Sequence, residues 1–152
     1  MAGVLWHVNS GEAALVASTA KSLLQIKAAA NQRVLIKGLR LFGKQPAGGT
    51  DTPVKIRLTR STANFGTFTG ATPGKNDPTD SETIQTTCGA NASVEPTSPS
   101  DGGLWWELQP QQAILDMLYP GQEIKIPGAQ SAQLECTSPG TPTLMFAATC
   151  EE

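Results

Sequence analysis

The chain has little charge, one histidine and few aromatic residues. Charged residues make up 16% of its 152 positions, for a formal net charge of −2. Nothing resembles the basic footprint that neutralises phosphates, so nucleic acid is not an expected partner. His7 is the only imidazole, and a Ser-His-Asp hydrolase would have to use it as base. It lies in "LWHVN", where a structural role or a partner contact is the better reading. Cysteines are three and odd in number, Cys88, Cys136 and Cys150, with no C-x-x-C spacing. Zinc needs more ligands at closer spacing. Buried free thiols are the expectation, and a Cys136–Cys150 bridge forms only if their strands pair. No apolar run approaches the ~18 to 20 residues of a membrane span, and the N-terminus lacks a signal-peptide pattern. The expected chain is made in the cytoplasm, with no membrane partner and no cofactor.

Other chemistry is equally thin. "GKNDPTD" lacks the D-x-D-x-D-G spacing and closing Glu of a calcium loop. "PAGGTDTP" has glycines but neither a Walker lysine nor a following helix. Glu95, Asp101, Glu107 and Asp116 could serve glycosidase chemistry only as a pair at the right separation, and they are scattered over loops and strand faces. The reading is non-enzymatic, and the closing "CEE" reads as a solvated acidic end.

What the sequence does have is alternation. In "PVKIRLTR", Val54, Ile56 and Leu58 share one face, and Lys55, Arg57 and Thr59 the other. "GQEIKIPG" and "SAQLECTSP" alternate in the same way, the signature of strands with one buried face. "EAALVASTAKSLLQIKAAANQ" favours helix by intrinsic propensity, but Leu24, Ile26 and Ala28 alternate with Gln25 and Lys27, which predicts strands over about 12–18 and 21–28. In "QRVLIKGLRLFG" the apolar phase slips at Gly38, the mark of a β-bulge. "ETIQTT", "LWWELQ" and "PTLMFAAT" are further strands, and "QQAILDMLYP" is open between a helical turn and a strand. Turn-rich connections fall at "GKQPAGGTDTP", "STANFGTFTGATPGKNDPTDS" and "NASVEPTSPSDGG". About eight short strands with long loops and no long helix predict an all-β, single jelly-roll β-sandwich over residues 1–152.

Two tryptophans remain to be placed. If "GLWWELQP" is a strand, Leu104, Trp106 and Leu108 face the core, and Trp105 shares a polar face with Glu107 and Gln109. A ring that large is costly to leave wet unless something covers it. Cover could come from the chain's own long loop through Phe65 or Phe68, or from another chain, since Trp is enriched at interface hot spots. Trp6, in the apolar "VLWHV", either packs under its own sandwich or belongs to an N-terminal docking arm, residues 1–10.

"STAKSLLQIKAAANQRVLIKGLRLFG", "PVKIRLTRSTANFGT", "NASVEPT" and "LYPGQEIKIPGAQSAQLECTSP" together resemble the small jelly-roll head-decoration, or cement, proteins of tailed bacteriophages. The likeness spans most of residues 15–150 and carries no catalytic signature. It implies a structural protein of the virion that forms homotrimers on the outer capsid surface and clamps neighbouring major capsid subunits. The family supplies no residue set to carry over; the candidate interface residues, read from the sequence itself, are Trp6, His7, Lys55, Arg57, Phe65, Phe68 and Trp105, with Lys55 and Arg57 placed to meet an acidic shell. The rival reading is a carbohydrate-binding or receptor-binding β-sandwich module that stacks a sugar on Trp105.

Overall fold

The computed structural model describes residues 3–49, 51–97 and 99–152. Among them every regular element is a strand: β1 (Leu5–Asn9), β2 (Ala13–Ala14), β3 (Lys21–Lys27), β4 (Val34–Lys44), β5 (Val54–Ser61), β6 (Thr67–Ala71), β7 (Gly74–Lys75), β8 (Thr87–Val94), β9 (Ser100–Leu108), β10 (Ala113–Met117), β11 (Ile124–Ile126), β12 (Ser131–Thr137) and β13 (Thr143–Glu151).

The frame is a long antiparallel ribbon folded back on itself. β1 pairs with β13, β3 with β12, β4 with both β10 and β11, and β5 with β9. The ribbon then rolls up through the β4–β13 and β5–β12 ladders, which is the jelly-roll form of the β-sandwich. One sheet, here sheet A, runs β10-β4-β13-β1-β7; the facing sheet B runs β6-β8-β3-β12-β5-β9. β6, β7 and β8 are additions to the frame: β6 and β7 lie within the segment that the sequence marks as one long turn-rich connection, and the strand expected at "ETIQTT" instead begins at its last residue and runs on as β8.

Alternation places the core. Ile56 and Leu58 from β5, Leu24 and Ile26 from β3 and Leu134 from β12 meet Leu39 and Leu41 from β4 and Phe146 from β13 in one buried cluster. The slip of phase at Gly38 is a real bulge. Thr149 stands opposite Gly38 and Cys150 opposite Ile36, so Lys37 has no partner of its own across that ladder. The helix-favouring N-terminal stretch is β2 and β3, because ladder partners on both sides of β3 outweigh a weak local propensity. "QQAILDMLYP" resolves as a strand, β10, at the edge of sheet A.

Two open alternatives are decided, and one expectation is corrected. Residues 5–9 are strand β1, hydrogen-bonded between β13 and β7, and Trp6 is wholly buried opposite Cys150. Trp6 is therefore a core residue of its own sandwich, not part of a docking arm, because its face of β1 alternates inward with Val4 and Val8. Cys136 and Cys150 are not bridged: β12 and β13 do not pair, and all three thiols are free. The acidic end is not merely solvated. Glu151 pairs with Lys37 at 2.8 Å, and the Glu152 carboxylate accepts hydrogen bonds from the Gln85 and Thr86 amides and the Thr86 hydroxyl.

Trp6→Ala should cost about 3–5 kcal/mol, the range for emptying a large aromatic site, as read by urea denaturation. Trp6→Phe should cost under about 1.5 kcal/mol, because its indole N–H has no partner to lose. An arm that served only to dock elsewhere would leave both midpoints unchanged.

Candidate interface surfaces

The outer face of sheet B is partly covered by its own chain. Gln133 in β12 is fully buried on that side, donating to Ser61 Oγ at 3.1 Å and Ser131 Oγ at 2.7 Å and accepting from Thr59 Oγ1. Beside it Gln25 Nε2 donates to the Phe65 carbonyl at 2.8 Å, and Lys27 Nζ lies 4.1 Å from the centre of the Phe65 ring. Thr97 N donates to the Asn64 carbonyl, and the Glu95 carboxylate accepts from Ser22 N at 3.0 and 3.1 Å. The two connections, near 62–66 and 95–97, thus form a cover over the β3 end of the sheet. Phe68, half-buried on β6, packs where a Cβ on Gly89 would lie 2.4 Å from its own Cβ.

That cover stops short of Trp105. The ring is 57% exposed on the outer side of β9, opposite Arg57, whose guanidinium lies 5.7 Å from the ring centre. The same guanidinium is 2.6 Å from Glu135, and the hydrogen bond to that carboxylate holds Arg57 above the ordinary arginine range. Lys55 is exposed opposite Glu107. The patch therefore carries two cations against two carboxylates, and the expected basic surface of Lys55 and Arg57 is electrically balanced. Trp106 points the other way, half-buried, with its Nε1 donating to Asp116 Oδ2 at 2.9 Å across the edge of the sandwich.

The outer face of sheet A has no such cover. Across four strands the outward residues line up in rows: Met117, Gly38, Thr149 and His7; then Leu115, Arg40, Ala147 and Asn9; then Ala113, Phe42 and Met145. Because Ala147 and Thr149 are short and their neighbours long, a hollow of about 540 Å³ opens over β13. His7 borders it, its Nδ1 held 2.9 Å from Asn76 Oδ1. At one end Lys37 bridges Glu123 at 3.2 Å and Glu151 at 2.8 Å. Glu151 first and Glu123 second hold Lys37 above the usual lysine range, while its own backbone amide and then Lys37 hold Glu123 below the usual carboxylate range.

The seven candidate residues do not form one site. Trp6 is in the core, His7 on sheet A, Phe65 in the cover, Phe68 at one edge of sheet B, and Lys55, Arg57 and Trp105 towards the other edge. Sequence reasoning missed Phe42, Leu115, Met117 and Met145. A period-two reading of "AILDM" would have found two of them, because it turns Ile114 and Asp116 inward and leaves Leu115 and Met117 facing out. Among the described residues no group of three His, Cys, Asp or Glu side chains could hold a metal ion, and no helix is long and apolar enough to cross a membrane. Comparison with protein-family models, with curated proteins and with solved structures finds no match.

Two solution tests follow. Burial, and then the Glu152 charge, pushes the Cys88 thiol up to about 12, and burial pushes Cys136 and Cys150 up as well. An aromatic disulfide reagent at pH 8 should therefore leave the folded chain unlabelled and titrate three thiols after denaturation. Glu123 is depressed in the fold, so its contribution is present above the ordinary value of 4.5 and is lost as pH falls through the lowered one. Glu123→Gln should lower the thermal midpoint at pH 7 and narrow the gap between the midpoints at pH 7 and pH 3; an unchanged gap would contradict this.

Proposed function

We propose that this chain is a non-enzymatic structural protein of a phage particle, a decoration or cement protein that forms trimers on the outer capsid surface and stabilises the head. The observation that carries the reading is a rigid jelly roll whose two outer faces both keep large apolar side chains uncovered, Trp105 on one and Phe42, Leu115 and Met117 on the other. A contiguous exposed apolar patch favours an interface, and the neighbouring Leu115, Met117 and Phe42 supply the larger one. The resemblance of residues 15–150 to phage decoration proteins supplies the partner, the major capsid protein. On this reading the chain is made in the host cytoplasm and ends on the virion surface. Trp105 is the shell anchor, with Arg57 and Glu135 holding the rim. A trimer needs only weak contacts from each subunit, since three linked sites bind with far higher avidity than one.

Trp105 also favours a second reading. An open ring flanked by Arg57, Glu107 and Lys55 is a surface on which a sugar could stack, as a carbohydrate-binding module of the particle would require.

Light scattering over a dilution series, tryptophan quenching by acrylamide and co-sedimentation with undecorated heads of the phage that carries the gene separate these readings. The cement reading expects a trimer that pellets with heads and a Trp105 protected on binding. Trp105→Ala should leave the fold intact and weaken pelleting by roughly tenfold or more, the cost of truncating a central interface tryptophan. Failure to pellet, with quenching changed by oligosaccharides instead, would transfer the chain to the sugar-binding class.

A further inference from the structure

The outer face of sheet A carries a ridge and a hollow side by side. Along its β10 edge Leu115 and Met117 are 62% and 56% exposed, and Tyr119, just beyond the strand, is 75% exposed. One strand further in, past β4, lies the hollow floored by Ala147 and Thr149, with Phe42 and Arg40 on one wall and His7 and Asn9 on the other. A Cβ on Gly38 would meet the Met117 sulfur at 2.8 Å, so the missing side chain there lets Met117 lie flat over β4 as part of the ridge.

Area and charge indicate what covers this face. At about 200 Å² for a fully exposed side chain of this size, the exposures of Leu5, Phe42, Leu115, Met117 and Tyr119 sum to on the order of 500 Å². The half-buried Met145 and Ala147 add to that, which brings the face to the upper end of the ~300–600 Å² of the largest apolar patches on single proteins, patches that are often functional. Charge on the face is mostly settled internally, because Lys37 already holds Glu123 and Glu151. Arg40, exposed at the centre, makes no ion pair among the described residues, and arginine is the charged residue that interfaces favour. A surface shaped for a strongly charged partner would present one sign of charge throughout. A surface that must meet a copy of itself cannot.

We infer that this face is the self-association surface, the β10 ridge of one copy seated in the hollow of the next. In the trimer proposed above the contact is heterologous, ridge into hollow in one direction around a closed ring. The inference rests on the reading that the chain acts by assembling; it assigns sheet A to the chain's own copies and leaves Trp105 on sheet B for the shell.

The test is solution mass by light scattering for the wild-type chain, for Leu115→Glu, which blunts the ridge, and for Ala147→Arg, which fills the hollow. Both substitutions point outward, and circular dichroism checks the fold; Leu115→Ser and Thr149→Lys address the same two surfaces if either first variant misfolds. Each variant should run as a monomer at concentrations where the wild type is a trimer, a loss of at least tenfold in association. A mixture of the two variants should recover a two-chain species, because each keeps the half that the other lacks. Wild-type mass in both variants would overturn the inference, and so would a wild-type chain that is monomeric throughout. A monomeric wild type that still pellets with undecorated heads would remove this inference while leaving the decoration reading in place.

Discussion

The pairing of the first frame strand with the last is the constraint on which the rest of the molecule depends. β13 is hydrogen-bonded along nearly its whole length to β4 on one side and over five residues to β1 on the other, so the roll closes only when the two chain ends meet. Trp6 is buried by that closure. The C-terminal Glu152 then clamps residues 85 and 86, and Glu151 joins β13 to Lys37 in the bulge of β4. Contacts of such sequence separation are costly in loop entropy, and burial of Trp6 in the closed roll offsets part of that cost.

The same strand sets what the outside can do. β13 alternates large inward residues, Leu144 and Phe146, with outward residues that shorten along the strand to Ala147 and Thr149. The inward set holds the core, and the short outward set leaves the hollow. Sheet B is built on the opposite plan: its central outward residues are polar and hydrogen-bonded, part of it is covered by connecting segments, and at the β9 edge Arg57 pairs with Glu135 while Lys55 stands opposite Glu107 in the ladder. One molecule thus presents a broad apolar face and a narrow aromatic one on opposite sides, an arrangement suited to a subunit with two kinds of neighbour.

Much of the frame was legible in the sequence because period-two alternation is a direct record of one buried face. β5, β11 and β12 follow from it, and so does the bulge at Gly38, where the phase slips. The outward placement of Trp105 and the inward placement of Trp106 follow from simple alternation as well. The rest depended on partners distant in sequence. Nothing local distinguishes an apolar arm from strand β1, because only the β13 ladder decides it. Gln25 and Gln133 read as solvent-facing, yet Gln25 bonds the carbonyl of Phe65, 40 residues on, and Gln133 is buried with Thr59, Ser61 and Ser131 as partners. β10 was obscured because its exposed side is the apolar one, the reverse of the pattern that alternation is normally used to detect.

Oxidative footprinting of the assembled chain tests most directly whether the uncovered apolar face of sheet A is there to be covered. Met117 and Met145 both lie on that face, and their conversion to sulfoxide can be followed by mass spectrometry at concentrations below and above assembly. Both should be oxidised readily in dilute solution and become protected several-fold in the oligomer. An oligomer in which Met117 and Met145 oxidise as fast as in the dilute chain would contradict a self-association role for this face.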